Sequence, residues 1–318
     1  MYIISLNIYF NHMNTKREAN HQQRSILGVV AGITAFLIWG LSPIYWKELY
    51  KVSASEIILH RIVWSFFLLM PVIIFRRRFA EFISAITSLK SVLILTATSV
   101  IVSTNWLTYI WAVQNDFILQ ASLGYYINPL INVLLGMIFL GERFRRLQIV
   151  SLVIATGSVL YLTFYYGEFP WISLLLGFSF GLYGLIRKIV DVGSLVGLGI
   201  ETFILSIPAG IYLIFLHQIG ESAFLKVGLR TDLFLLGAAF VTAIPLILFT
   251  FSARRLNLST VGFIQYIGPT VMFLLGILVY NEAFNSAQII TFIGIWIALA
   301  VYSIDSIIHF KNISDPIK

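Results

Sequence analysis

The feature that most constrains this chain is a succession of apolar runs, each about 18 to 23 residues long and almost free of charge, the length a helix needs to cross a hydrocarbon core of roughly 30 Å. They fall at residues 26–46, 54–75, 91–113, 118–140, 147–166, 169–188, 196–216, 232–252, 259–280 and 287–307. Of the 318 residues, 59% are hydrophobic and only 11% charged, against roughly 45 to 50% and about 25% in a soluble domain. No soluble fold of this size hides that much apolar side chain, so the lipid bilayer is the solvent for most of the chain. The expected fold is an all-α membrane protein of ten transmembrane helices.

A net charge of +7 raises the question of nucleic acid, and the placement of the charges answers it. With the N-terminus inside, sixteen of the twenty-one Lys and Arg fall in cytoplasmic segments: Lys16, Arg17, Arg24, Arg76, Arg77, Arg78, Lys90, Arg143, Arg145, Arg146, Arg187, Lys188, Arg254, Arg255, Lys311 and Lys318. Outer segments hold Lys47, Lys51, Lys226 and Arg230, and Arg61 lies within the second span. This is the positive-inside pattern of a multi-pass protein of the cytoplasmic membrane with both termini cytoplasmic, and no nucleic-acid partner is expected. The absence of cysteine excludes disulfides and thiolate chemistry. Residues 1–25 do not read as a signal peptide, because Asn7 and Asn11 interrupt the apolar stretch and its basic residues follow it. They read as a cytoplasmic tail, with Met13 an alternative start.

Sliding the chain by 140 positions exposes an internal repeat. Tyr126, Ile127, Pro129, Leu134, Leu135, Gly136, Glu142, Phe144, Gln148 and Ile149 match Tyr266, Ile267, Pro269, Leu274, Leu275, Gly276, Glu282, Phe284, Gln288 and Ile289, ten identities in twenty-four positions. The chain divides into a tail (1–25), a first five-helix repeat (26–166), a second (167–307) and a C-terminal tail (308–318). Five is odd, so the two copies must face opposite ways in the membrane, the inverted-repeat plan of many secondary transporters.

Several segments carry a family resemblance. They are Trp39-Gly40-Leu41-Ser42-Pro43, Glu56-Ile57-Ile58-Leu59-His60-Arg61, Asn105-Trp106, Ala121-Ser122-Leu123-Gly124-Tyr125 through Ile127-Asn128-Pro129-Leu130, Gly141-Glu142-Arg143-Phe144-Arg145-Arg146, Tyr183-Gly184-Leu185, Glu201-Thr202 and Gln265-Tyr266-Ile267-Gly268-Pro269-Thr270. Over about residues 25 to 310 the chain resembles the RarD-type branch of the EamA family, in the drug/metabolite transporter superfamily. The resemblance implies ten helices, cytoplasmic termini and a permease of small metabolites or drugs, often an exporter. It brings no list of substrate contacts, so the candidate residues rest on physical argument.

Ionisable side chains inside a membrane are expensive, about 2.5 to 3.5 kcal/mol at a helix centre on insertion scales, so each needs a reason. Glu56 is either the far arm of a capping box begun by Ser53 or a coupling carboxylate. His60, one turn further on, could relay a proton. Arg61 either snorkels to the outer surface or stands in a water-filled cavity, paired with Glu56 or Glu201, where it attracts an anionic or zwitterionic substrate. Glu201 is the repeat counterpart of Glu56, either a functional carboxylate or a partner for Arg187, Lys188 or Arg61. Asp305 reads as interfacial.

Uncharged polar residues at Thr104, Asn105, Tyr125, Tyr126, Asn128, Asn132, Thr242, Gln265 and Tyr266 should face the bundle interior, since lipid offers them no partner. Pro129, Pro245 and Pro269 free backbone carbonyls near mid-membrane, and Pro129 and Pro269 are repeat equivalents. A substrate cavity is therefore expected between the halves, lined by Trp39, Asn105, Tyr126, Asn128, Tyr183, Gln265 and Tyr266 around Pro129 and Pro269. Gly28, Gly32, Gly177, Gly181 and Gly184 have the spacing of close helix packing. Glu142 and Glu282 are expected to stabilise the N-terminus of the next helix.

No zinc-binding His-Glu-x-x-His helix or nucleophile-base pair is present, so no enzyme, metal or cofactor is expected. No Gly-x-x-x-x-Gly-Lys loop offers ATP a site. The expected partners are a small-molecule substrate and the bilayer. A receptor or scaffold without transport is the alternative, and it leaves the inverted repeat unexplained.

Overall fold

The computed structural model describes residues 2–114, 118–167, 171–279 and 285–314, all of them in helices or short connections. The elements are α1 (Tyr2–Lys47), α2 (Ala54–Phe75), α3 (Phe79–Thr87), α4 (Leu89–Gln114), α5 (Ile118–Leu140), α6 (Arg146–Tyr166), α7 (Trp171–Ile189), α8 (Ser194–Gln218), α9 (Leu229–Ala253), α10 (Leu258–Gln265), α11 (Ile267–Leu278) and α12 (Ser286–Ser314). Among the described residues, nine stretches are long and apolar enough to span a bilayer, from Ser25–Lys47 to Ser286–Asp305, and the shorter Gly124–Leu140 of α5 makes a tenth.

Three features depart from the expected spans. The segment before residue 26, read as a tail, is helical and continuous with α1, so that helix is longer than the span within it. Between the second and third spans stands α3, nine residues long and too short to cross a bilayer, with Phe82 and Ala85 buried. The ninth span is not one helix but two, α10 and α11, divided at Tyr266. Pro269 has no N–H to offer the carbonyl four residues back, Gln265, which is where α10 ends. Gly141 and Gly167, at φ +64° and +69°, take the left-handed conformation just past α5 and α6, a backbone that glycine adopts without a Cβ clash.

Helix contacts trace a closed ring, α1–α9–α2–α8–α4–α7–α5–α10/α11 and back to α1. Around it, members of the first and second halves alternate without exception. The contacts also respect a two-fold exchange of the halves: α1 with α9 has its counterpart in α7 with α4, α5 with α7 in α11 with α1, and α2 with α9 in α8 with α4. The remaining pair, α6 with α12, packs outside the ring through Ala155, Val159, Leu162, Ile295 and Ala298. This is the inverted five-helix repeat in three dimensions.

Glycine sets how closely the ring closes. A Cβ on Gly177 or Gly181 would stand 2.8 or 2.9 Å from Ile131 of α5, and one on Gly40 would stand 2.7 Å from Val271 Cβ of α11. Gly262 of α10 rests on the Pro129 carbonyl, where a Cβ would meet the oxygen at 2.8 Å. One end of the bundle gathers Arg76, Arg145 and Arg254; the opposite end carries the α1–α2 and α8–α9 loops.

Candidate functional site

A cavity of about 450 Å³ lies inside the ring, with walls from α1, α2, α4, α5, α7, α9, α10 and α11. Its rim, at the end opposite the arginines, carries exposed Lys47 and Tyr50 beside Ala54. From Lys47 to Phe36 the wall descends eleven residues of α1, roughly 16 Å at 1.5 Å per residue, about half the thickness of a hydrocarbon core. There an aromatic cluster closes it. Phe36 meets Trp39 at 5.4 Å, Trp39 meets Phe180 at 5.7 Å and Phe180 meets Phe249 at 5.0 Å between ring centroids. Tyr183 stacks on Phe249 at 6.4 Å, and both are wholly buried.

Four prolines shape the wall. Pro43, Pro129, Pro245 and Pro269 lie inside α1, α5, α9 and α11, and each lacks the N–H that would bond the carbonyl four residues earlier. Those carbonyls belong to Trp39, Tyr125, Val241 and Gln265, and all four residues line the cavity. The first is recovered by Ser42, whose hydroxyl donates to it at 2.7 Å.

Arg61 of α2 is the charged group below the rim among the described wall residues. Its guanidinium carbon lies 4.8 Å from the Trp46 ring centroid and 5.0 Å from that of Trp106, and Nε donates to Thr242 Oγ1 at 2.9 Å. It makes no ion pair with a described carboxylate, so the expected pairing with Glu56 or Glu201 is corrected. The head also stays within the ring rather than snorkelling outward, because the two indoles hold it.

The amides at mid-depth are partly committed. Asn105 donates to the Leu176 carbonyl and Ser179 Oγ, both at 2.9 Å. Asn128 donates to the Gly177 carbonyl at 3.2 Å, and Asn132 donates to Asn128 Oδ1 at 3.2 Å and Gln265 Oε1 at 2.7 Å. These bonds join α4 and α5 to α7 and α10. Asn105 Oδ1 and Gln265 Nε2 have no bond to another described residue, which leaves one acceptor and one donor on the wall.

The two spanning carboxylates lie off the cavity, at opposite ends of the ring. Glu56 Oε1 accepts from Ser222 Oγ at 2.7 Å and from the Ala223 and Phe224 amides at 2.8 and 3.2 Å. It thereby fastens the α8–α9 loop onto α2. Ser53 does cap α2, its hydroxyl accepting from the Glu56 N–H at 3.3 Å, but Glu56 does not reach back, so only half of the capping box forms. His60 Nδ1 accepts from Trp64 Nε1 at 2.8 Å, which leaves Nε2 as the protonated nitrogen of a neutral ring, 3.8 Å from Glu56. Glu201 sits beneath the aromatic cluster. It accepts from Thr98 at 2.6 Å and Tyr183 at 3.1 Å, and pairs with Arg187 at 3.6 Å.

The arginine-rich end is tied shut by further polar contacts. Arg254 donates to the Val190 and Val192 carbonyls at 2.6 and 2.9 Å. Burial, then the Arg187 charge, holds its pKa below the ordinary arginine value, against Asp191 and Glu81, which act upward. Lys188 donates to the Ala253 and Leu256 carbonyls. Glu142 accepts from the Leu258 and Ser259 amides at 2.6 and 3.1 Å. That corrects the expected role of Glu142: it stabilises the N-terminus of α10 in the other half, not of the following helix, because the halves interleave. Glu282 lies outside the described residues. Asp305 accepts from Arg145 at 2.6 Å, at this same end of the bundle.

Of the residues singled out in the sequence, Trp39, Arg61, Asn105, Asn128, Gln265 and Pro269 stand on the cavity wall. Tyr126 and Tyr266 do not; they are buried against α6 and α12, Tyr266 donating to the Tyr126 carbonyl at 3.3 Å. Successive helical residues point about 100° apart. With Tyr125 and Asn128 turned inward, Tyr126 must face away. Pro129 supports Gly262, and Tyr183 belongs to the closed end. Thr104 is exposed, correcting its inward placement. A threonine hydroxyl can bond its own helix, as Thr34 does at Val30, and so marks an interior less firmly than an amide. The aromatic walls Trp46, Trp106, Tyr109 and Phe180 were not singled out; in an apolar span they look like lipid-facing residues.

Residues 26–164 match the EamA-like transporter family. The chain is 44% identical over 280 residues to Protein RarD of Salmonella typhi, covering 88% of this chain and 95% of that protein. It is 45% identical over 286 residues to an uncharacterized transporter of Vibrio cholerae, covering 90% and 95%, and 44% identical over 283 residues to the uncharacterized transporter YojE of Bacillus subtilis, covering 88% and 94%. A solved crystal structure aligns with a TM-score of 0.65 at 17% identity over 87% of this chain and 96% of that one; the likeness is one of fold.

Proposed function

Since the chain belongs to the RarD-type branch of the EamA-like transporter family, we propose that it is an alternating-access secondary transporter that exports small metabolites or drugs in exchange for protons entering down their gradient. The observation that carries this reading is a cavity between the two halves, open at one end and closed at the other by Phe36, Trp39, Phe180 and Phe249. Exchange of the halves turns that arrangement upside down, so the alternate state closes the rim and opens the arginine-rich end. By the charge distribution, the rim is the outer side. Export therefore loads the cavity from the cytoplasm in the alternate state and releases into the state described.

Glu201 is the coupling group we assign. It lies at the closed end, where opening would bring water to it, and its neighbours Thr98, Tyr183 and Arg187 come from α4 and α7, so its charge is felt by both halves. The test is flux in proteoliposomes across a panel of metabolites and antibiotics, with and without a proton gradient. Saturable flux that collapses when the gradient is dissipated is expected, and Glu201→Gln should lose the gradient dependence while still binding what the wild type moves. No flux of any compound above empty liposomes would overturn the transporter reading; unchanged coupling in the variant would return Glu201 to a structural role.

A further inference from the structure

Arg61 leaves an account unfinished. A cation in a spanning helix is stabilised in part by the two indole faces it lies between, and by one hydrogen bond, from Nε to Thr242. A guanidinium has five N–H donors in a planar fork. Four of them, on the two terminal nitrogens, bond no described residue. Neither terminal nitrogen is among the buried polar atoms left without a partner, so both are open to the space that Arg61 lines.

The rest of the wall defines what can meet them. Among its described residues no Asp or Glu appears, and the second cation, Lys47, stands at the rim. Trp39, Trp46, Trp106, Tyr109, Tyr125 and Phe180 give the cavity flat apolar faces. A volume of about 450 Å³ is in the range of small-molecule sites, roughly 300 to 1,000 Å³. A cationic substrate would meet uncompensated repulsion at Arg61. A neutral one offers the fork only uncharged acceptors, whose bonds are roughly half as strong as charge-assisted ones. A carboxylate matches the fork with two parallel charge-assisted bonds.

We propose that the cavity selects organic monoanions, with a carboxylate on the terminal nitrogens of Arg61 between Trp46 and Trp106 and an aromatic or similarly flat body against Trp39 and Phe180. This rests on the transporter reading and names the substrate class of its site.

Three probes that share one ring and chain length isolate the charge: 4-phenylbutyrate, 4-phenylbutanamide and 4-phenylbutylamine, the last cationic at pH 7. Calorimetric titration into the purified protein in lipid nanodiscs should give a carboxylate dissociation constant at least tenfold below that of the amide, with the amine weakest. Arg61→Gln should bring the carboxylate to within about twofold of the amide. Arg61→Lys, which keeps the charge without the fork, should fall between. The wild-type order needs no variant, so misfolding of Arg61→Gln does not remove the test. Amide or amine binding as tightly as the carboxylate, or no binding by any of the three, overturns the substrate class. That result leaves the carrier reading to the liposome panel, where failure looks different: no saturable flux of any compound.

Discussion

At the scale of single residues, a buried charge can be answered by partners far away in sequence. Glu56 is 1% exposed and reaches Ser222, Ala223 and Phe224 in the other half. Hydrogen bonds to a charged group contribute about 1.5 to 3 kcal/mol each. Glu56→Gln removes the charge and turns an amide N–H₂ toward the backbone donors of the loop. Hydrogen exchange at Ala223 and Phe224 should then speed up at least tenfold, equivalent to about 1.4 kcal/mol. Exchange at the wild-type rate would mean that the loop is held by other contacts. The sequence marks Glu56, Arg61 and Glu201 as needing an explanation, because each stands in an apolar span. It does not reveal their partners. Arg61 and Glu56 are near neighbours on one helix, yet one faces the cavity and the other the α8–α9 loop, a difference set by which helices lie alongside.

At the scale of elements, the spans are legible because hydrocarbon thickness imposes a length that composition cannot hide. What is less legible is where a span bends. Pro129 and Pro269 occupy equivalent positions, but α5 runs on as one helix while its partner divides into α10 and α11. The short α3 escapes because nine residues leave too little pattern. Glycine contacts are the sharper handle on element packing. Gly40 brings α1 against α11, with a prospective Cβ 2.7 Å from Val271 and 3.0 Å from the Gly268 carbonyl. Gly40→Leu inserts four carbons where none fits, and should destabilise the fold by at least about 1 to 3 kcal/mol, read as a lowered thermal unfolding midpoint. It should also halt flux, since Gly268 and Pro269 line the cavity. An unchanged midpoint with normal flux would show that α1 and α11 can separate freely.

At the scale of the whole molecule, the odd span count and the repeat foretell two inverted copies, but not that they interleave around a ring. Side-by-side halves would satisfy the same sequence pattern. The orientation proposed from the positive-inside rule is open to direct measurement, since no native cysteine interferes. Lys51→Cys and Arg143→Cys place single thiols on exposed residues at the two ends. A membrane-impermeant maleimide added to intact cells should label the first and spare the second, and the reverse would invert the membrane orientation and with it the proposed direction of transport. The alternating ring carries a last consequence, for how the protein is made. The partners of Glu142, Asn132 and Glu56 lie 116, 133 and 166 residues downstream. At the roughly 5 to 20 residues per second of synthesis, these groups wait on the order of 6 to 30 s in a half-inserted chain for the helices that answer them. The nascent first half is thus an unfinished barrel with alternate staves missing, its amides and carboxylates facing whatever the insertion machinery or neighbouring lipid can offer, and the window in which quality control can recognise it closes only as the last helices arrive.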